Sequence, residues 1–265
     1  HSLTSQHLEQ LAPGTGTTAL VLSPTGHLEH VLYGVDDGET FWAHTEPGAA
    51  PALVAWLDRM RFLMRVEVVD RTGAVAVVWR PGSPPADPPG RHRAGEDSLG
   101  GYESFVPRAE LDAVLAAAPG AGLWAYEARR IAAGVPRVGL DTDARTIPNE
   151  AGLLGVAVHL DKGCYRGQET VARVHTLGRP PRRLVRLLLD GTADALPTPG
   201  AALLDGERPV GFVGSSARHH ELGPIALGLV KRGVDVQATL LVEGIAAAQE
   251  PLVDPEVGLH VRARL

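Results

Sequence analysis

The sequence predicts an α+β chain built of several modules, among them a ferredoxin-like α+β module and a small C-terminal antiparallel barrel or sandwich. Three observations carry that expectation. Helical and strand periodicities alternate as far as about residue 180. Pro180-Pro181 then breaks the pattern. Beyond it, short strands follow one another at close intervals between glycine turns.

The composition bounds what such a chain can do. It has 265 residues, 44% hydrophobic and 21% charged, which is globular and long enough for two or three modules. A formal net charge of −6 argues against a broad phosphate-binding surface, so direct contact with nucleic acid is not expected. Lysine occurs only at Lys162 and Lys231, with arginine supplying the other positive charges. The single cysteine, Cys164, excludes an internal disulfide and fits a reducing compartment. No run of about eighteen apolar residues offers a membrane span, and no secretory pattern opens the chain. A cytoplasmic location is the expectation.

Thr17 to Ser23 reads as a strand, turned by Pro24-Thr25-Gly26 into a second over His27 to Tyr33, and Thr40 to His44 as a third. Pro51 to Met60 is amphipathic, with Leu53, Val54, Trp56, Leu57 and Met60 on one side. Val66 to Val69 and Val75 to Trp79 are expected as strands about the turn Asp70-Arg71-Thr72-Gly73. Pro81 to Gly101, rich in Pro, Gly and charge, is expected as a mobile loop. Gly101 to Pro107 resumes as a strand, and Arg108 to Ala118 makes a helix. Leu123 to Ala133 has helical spacing and stops at Gly134. After Pro181 the strands are Leu184 to Leu189, Ala201 to Leu204, Val210 to Ser215, Ile225 to Val230 and Ala238 to Val242.

The chemistry concentrates in Lys162-Gly163-Cys164-Tyr165-Arg166-Gly167-Gln168-Glu169. An apolar run, Leu153 to Leu160, precedes it as an expected strand. Val171, Val174 and Leu177 follow at helical spacing, with Gly178 as the stop. A thiol in the first turn of a helix meets unpaired N–H groups and partial positive charge, and Lys162 and Arg166 flank it within two residues; all of this favours a thiolate. Asp161 and Glu169 act the other way. Gly163 and Gly167 permit a loop to lie close against a ligand. The bland alternative is a buried cysteine acting as a small hydrophobe.

KGCYRGQE resembles the KGC-[FY]-x-GQE signature of the YgfZ proteins, folate-binding relatives of the glycine-cleavage T-protein (aminomethyltransferase). The match has no gap, and a looser resemblance runs colinearly over most of the chain. It implies a T-protein-like multidomain fold: a folate-binding domain from residues 1–40 plus 130–180, the ferredoxin-like module over 41–129 and the barrel over 181–265. His1 to Gln6 resembles a family segment that normally follows an earlier strand-helix unit, so an N-terminal portion is expected to be missing.

The resemblance implies a site as well. Gly101-Tyr102-Glu103 resembles the family's G-[YF]-E, where a nearby glutamate bonds the pterin; Glu96 competes for that role, and a solvent-facing Glu103 is the alternative. A carboxylate can accept two N–H bonds from a 2-amino-pyrimidinone edge at once. Arg130 falls on the arginine of the family's R-I-E-A-G-I-P, where it contacts folate's polar tail, and a guanidinium suits that tail's carboxylates. An ion pair with Glu127 is the structural alternative. Ala132 stands where the family has glutamate. Lys162, Tyr165 and Gln168 complete the expected folate-binding set, with tetrahydrofolate or a one-carbon derivative as cofactor. Gly211 to Ser216 resembles the family's G-x-V-T-S in the barrel.

The implied function is support of iron–sulfur cluster assembly or repair, and indirectly of tRNA modification, with assembly or client proteins as partners. Cys164 is then the functional thiol, attacking a folate-bound one-carbon unit or giving one ligand to a cluster shared with a partner. A folate-dependent aminomethyltransferase is the alternative, but the aspartate such enzymes carry in the first hairpin has no counterpart among Glu29, His30 and Val31. A third is a scaffold whose folate site has decayed. Other signals are weak. Gly14-Thr15-Gly16 lacks the strand–helix context of a dinucleotide fingerprint, His219-His220-Glu221 lacks a third metal ligand, and one cysteine cannot hold a cluster alone.

Overall fold

The computed structural model describes residues 2–85 and 91–261. The chain forms two compact units, one of His1–Leu22, Glu29–Gly120 and Gly155–Arg166, the other of Ser23–Leu28, Ala121–Leu154 and Gly167–Leu265.

In the first unit, strands β1 (Gly16–Leu22), β2 (Leu28–Asp36) and β3 (Phe41–His44) form a three-stranded sheet in that order. Helix α1 (Ala50–Met60) begins with proline in its first turn, where no N–H partner is lost. Its apolar stripe places Leu53, Trp56 and Leu57 with Val21, Leu32 and Phe41 in one cluster. A second sheet has the order β4 (Val75–Pro81), β6 (Gly101–Pro107), β5 (His92–Arg93), all antiparallel. Helix α2 (Leu111–Ala116) follows a turn of 3-10 helix.

Two expected strands are absent. Val66 to Val69 are not in a strand; Phe62 turns left-handed at φ 46° and the valines run on exposed at Val66 and Val69, without a partner to reward their β propensity. Leu153 to Leu160 is a series of turns with isolated bridges, because Gly152 and Gly155 take positive φ (71° and 82°) and interrupt any extended run. The expected loop from Pro81 to Gly101 contains β5; its residues 86–90 lie outside the described residues, as does His1.

The second unit is organised around a closed barrel in the order β10-β7-β12-β11-β8-β9. Its strands are β7 (Arg182–Leu189), β8 (Ala202–Asp205), β9 (Arg208–His219), β10 (Gly223–Lys231), β11 (Leu240–Val242) and β12 (Ile245–Pro251). β7 shows why closure works. Val185, Leu187 and Leu189 join one cluster with Leu203, Val213 and Leu240, while Leu184 and Leu188 join another. That second cluster includes Ala128 and Ile131 of helix α3 (Leu123–Ala133), so alternate residues of one strand serve the barrel core and the helix seat. Helix α4 (Gln168–Leu177) ends at Gly178, as its sequence predicts.

Arginine ties the barrel's first strand to the segment before it. Arg182 donates to Asp143 (2.7 and 3.0 Å) and to Glu150 (2.9 Å to each oxygen). Chiefly because Arg182 bonds it, the Asp143 carboxyl sits well below the usual carboxylate range. An aspartate depressed in the folded state contributes stability that is whole above its unfolded value near pH 4 and is lost as pH falls below it. Arg182→Gln also strands the buried Glu150 (1% exposed). We expect the variant to lose about 3 kcal/mol at pH 7, with the gap to wild type narrowing below about pH 4, as read by urea denaturation across pH.

Candidate functional site

The first unit holds a polar cavity of about 230 Å³ lined by Gln6, Thr18, Arg93, Glu96, Asp97 and Val156, among others. Its wall is built around Arg93, a residue of β5 that is 1% exposed. The Arg93 guanidinium donates to Glu103 (2.7 Å), Ser98 Oγ (3.0 Å), Thr18 Oγ1 (2.5 Å), the Thr17 carbonyl (3.1 Å) and Asp97. Thr18 in turn donates to the second Asp97 oxygen at 2.5 Å. Two carboxylates thus share one cation. Burial holds the Glu103 carboxyl above its ordinary range against the pull of Arg93, and Asp97 adds to the rise.

Glu103 is therefore inside the wall, 4% exposed and committed to Arg93 and Ser98. Tyr102, beside it on β6, is also buried and meets His92 edge-on at 5.6 Å. Glu96 is different: it is exposed, it lines the cavity, and among the described residues no hydrogen bond occupies its carboxylate. Close by in the sheets, His44 stacks on Tyr33 at 4.9 Å. Burial first and the charge of Arg93 second lower it to about 4, so it is neutral at neutral pH.

The Cys164 loop belongs to the same unit as far as Arg166. Lys162 is buried and its Nζ donates to the carbonyls of Thr4 (2.6 Å) and Gln6 (2.8 Å), 5.3 Å from the Tyr165 ring centroid. Burial lowers its ammonium to about 8. Arg166 donates to Glu29 (2.6 Å) and to the Leu22 carbonyl (2.8 Å). Between them Cys164 is exposed and free. The thiol is not in a helix turn, since α4 starts four residues later at Gln168 with Gly167 as its cap. Both flanking cations are also engaged with other groups. The sequence-level reasons for a thiolate are thus weaker in the folded chain than in the sequence. Exposure, however, rules out the buried-hydrophobe reading.

Gly167 must be glycine, because φ is 81° and a Cβ would lie 2.4 Å from the Ser23 carbonyl oxygen. Here the close approach serves packing within the second unit, between the Ser23–Gly26 turn and the start of α4.

Arg130 lies in the second unit at 2% exposure. Nε and Nη2 donate to Glu127 (3.1 and 2.6 Å), Nη1 to Asp141 (3.0 Å) and the Val135 carbonyl (2.6 Å), and Nη2 also to Ser215 Oγ (2.6 Å). All five N–H groups have protein acceptors. The Ser215 amide and hydroxyl bond Asp141 at 2.6 and 2.7 Å, and a Cβ on Gly214 would sit 2.2 Å from the same oxygen. Gly214-Ser215 of the sequence motif thus closes around Asp141.

Of the residues singled out from sequence, Lys162, Cys164 and Tyr165 share one loop, and Tyr102 and Glu103 share β6, all in the first unit. Arg130 and Gln168 belong to the second. Sequence reasoning missed Arg93, Asp97 and Asp141. The run Arg93-Ala94-Gly95-Glu96-Asp97-Ser98 carried a usable signal, an arginine four residues from an acid in a loop. Among the described residues no group of three or more metal-ligating side chains occurs, and no helix is long and apolar enough to cross a membrane.

Against solved structures, the chain is similar to the glycine cleavage system aminomethyltransferase T of Bartonella henselae, with a TM-score of 0.75 over 97% of this chain and 80% of that one, at 20% identity. The fold is the aminomethyltransferase T fold. No family model matches the sequence. Among curated proteins, it is 31% identical over 159 residues to the mitochondrial iron–sulfur cluster assembly factor IBA57 homolog of Mycosarcoma maydis, covering 57% of this chain and 39% of that protein. It is 24% identical over 265 residues to a putative chloroplastic transferase of Arabidopsis thaliana (88% and 60%). An aminomethyltransferase of Streptomyces avermitilis is 31% identical over 150 residues (52% and 40%). The chain thus spans between 39% and 60% of the length of these relatives.

With only two lysines in the sequence, the Lys162 environment can be read directly. Carbon-13 reductive methylation followed by NMR titration is expected to show one dimethyl-lysine signal with a midpoint near 8. A midpoint near 10.5 for both lysines would mean that Lys162 is not buried against the Thr4 and Gln6 carbonyls.

Proposed function

We propose that this chain is a YgfZ-like, folate-binding accessory protein that supports iron–sulfur cluster assembly or repair in the cytoplasm, and through it tRNA modification. The observation that carries the proposal is the exposed Cys164 on an anchored loop, in a chain of aminomethyltransferase T fold similar to an iron–sulfur assembly factor. In this reading the α1, β4–β6 and α2 elements form the ferredoxin-like module.

The cavity beside Arg93 fits the head of a folate. At about 230 Å³ it falls below the 300–1,000 Å³ typical of whole ligand sites, room for a fused ring with the tail left outside. Glu96 offers a free carboxylate for the paired N–H groups of the pterin edge, while Arg93 holds Asp97 and Glu103 in the wall. Tyr102 and Glu103 then act as positioning residues rather than direct contacts, whereas Arg130 is committed within the second unit to Glu127, Asp141 and Ser215; Lys162 and Tyr165 shape the loop around Cys164, and Gln168 opens the helix that follows it. Bound tetrahydrofolate would supply a carrier for one-carbon units; Cys164 supplies the thiol.

The second reading, aminomethyl transfer, is favoured by the Streptomyces relative and by the fold. Against it stands the hairpin, where Glu29 is paired with Arg166 and no aspartate is in register.

Calorimetric titration with 5-formyltetrahydrofolate is expected to give micromolar binding, weakened about 10- to 100-fold by Glu96→Gln, the scale of a lost charge-assisted hydrogen-bond pair. Cys164→Ala should bind folate as wild type does, yet fail to restore growth to a strain lacking the corresponding assembly factor. Absence of folate binding would leave the scaffold reading. Turnover with a lipoylated carrier protein and tetrahydrofolate would transfer the assignment to the enzyme.

A further inference from the structure

Gln6 and Val156 both line the cavity beside Arg93, and the segment that carries Gln6 is pinned from two directions. The Ser5 amide donates to the Leu20 carbonyl of β1 at 3.0 Å, and the His159 amide donates to the Ser5 carbonyl at 3.0 Å. The Ser5 hydroxyl donates to the Ala157 carbonyl. Lys162 Nζ then holds the carbonyls of Thr4 (2.6 Å) and Gln6 (2.8 Å). The Gln6 side chain is fixed as well, since its Nε2 donates to the Val156 carbonyl at 2.9 Å. The opposite amide orientation would set two carbonyl oxygens against each other. Oε1 is therefore the atom left over, and among the described residues no hydrogen bond engages it. All of these residues lie in the first unit.

The rest of the lining decides what that oxygen can meet. Arg93 has every N–H group spent, on Thr17, Thr18, Asp97, Ser98 and Glu103. The Thr18 hydroxyl donates to Asp97. What the lining side chains keep open is acceptor capacity, at Gln6 Oε1 and the Glu96 carboxylate, with the Thr17 hydroxyl able to serve either way. We infer that Gln6 is a specificity-determining residue of this cavity: its carboxamide oxygen, fixed by Val156 and Lys162, selects an uncharged heterocycle that presents N–H groups over one that presents lone pairs. The inference deepens the folate reading and rests on it for the identity of the ring. An anionic group would meet Glu96 and Asp97 with no uncommitted cation to receive it. A bare ring nitrogen against Oε1 leaves two acceptors facing each other, whereas an N–H makes a hydrogen bond. A reduced folate carries hydrogen on a ring nitrogen that is a bare lone pair in folic acid, so the cavity should prefer the reduced head.

Calorimetric titration of the full chain with 5-formyltetrahydrofolate and with folic acid reads that preference. Wild type is expected to bind the reduced probe about tenfold more tightly, the scale of one hydrogen bond gained against one acceptor left unpaired. Gln6→Met, similar in length but without an acceptor, should weaken 5-formyltetrahydrofolate about tenfold and folic acid by less than about twofold, which abolishes the preference. Lys162→Met, outside the cavity lining, should move the ratio in the same direction by releasing the Gln6 backbone. Equal weakening of both probes by Gln6→Met is what wall support alone would give, and it overturns the inference, as does a preference left intact. If neither folate binds wild type, the folate reading falls and isocytosine, a single ring with adjacent N–H groups, decides. Saturation-transfer NMR should then detect it at millimolar concentration, with the dissociation constant raised about tenfold in Gln6→Met. No isocytosine signal, or one indifferent to Gln6→Met, overturns the inference too.

Discussion

A guanidinium taken out of water must find an oxygen for each of its N–H groups, since an unpaired buried charge costs several kcal/mol. This chain meets that demand repeatedly, and its architecture follows from how it does so. Arg93 gathers β1, β5, β6 and the loop between the last two. Arg130 joins α3 to β9 through Asp141 and Ser215. Arg183, fully buried on β7, meets the demand only in part: Nη1 and Nη2 donate to the carbonyls of Lys231, Arg232 and Val234 and to Gln249, while its Nε has no acceptor among the described residues. Each is a point where distant segments must be correct together, which sets register as well as stability. With two lysines against many arginines, the chain relies on a planar fork that a point-charge ammonium does not replace.

The same constraint explains what the sequence made legible. Helix α3 and its stop at Gly134 could be read directly, because the stop needs a left-handed residue and only glycine takes that at no cost. Most barrel strands were visible through alternation and glycine turns. β12, Ile245–Pro251, was not, since Ala-Ala-Ala-Gln-Glu has little strand character; it is held by the β7 ladder opposite. Val66 to Val69 erred the other way, with strong propensity and no partner strand. Local preference is a weak vote wherever tertiary pairing decides.

At the candidate site, motif residues were legible and their assignments were not. Glu103, Arg130 and Lys162 stand out as charges at notable positions, yet a sequence does not say which charges are already spent on one another. Three-dimensional proximity, 10 residues apart for Arg93 and Glu103 or 85 for Arg130 and Ser215, decides that. Glu96 at the cavity and Cys164 on its loop are both exposed, and among the described residues no hydrogen bond engages the Glu96 carboxylate.

The solitude of the thiol has a redox consequence. An exposed cysteine that meets peroxide passes to a sulfenic acid, and the usual protection is prompt condensation with a second cysteine of the same chain. Within these 265 residues there is none. An oxidised Cys164 must be resolved by a thiol from outside these residues, or advance toward the irreversible acids. The recovery of this loop is thereby tied to the thiol pool around it.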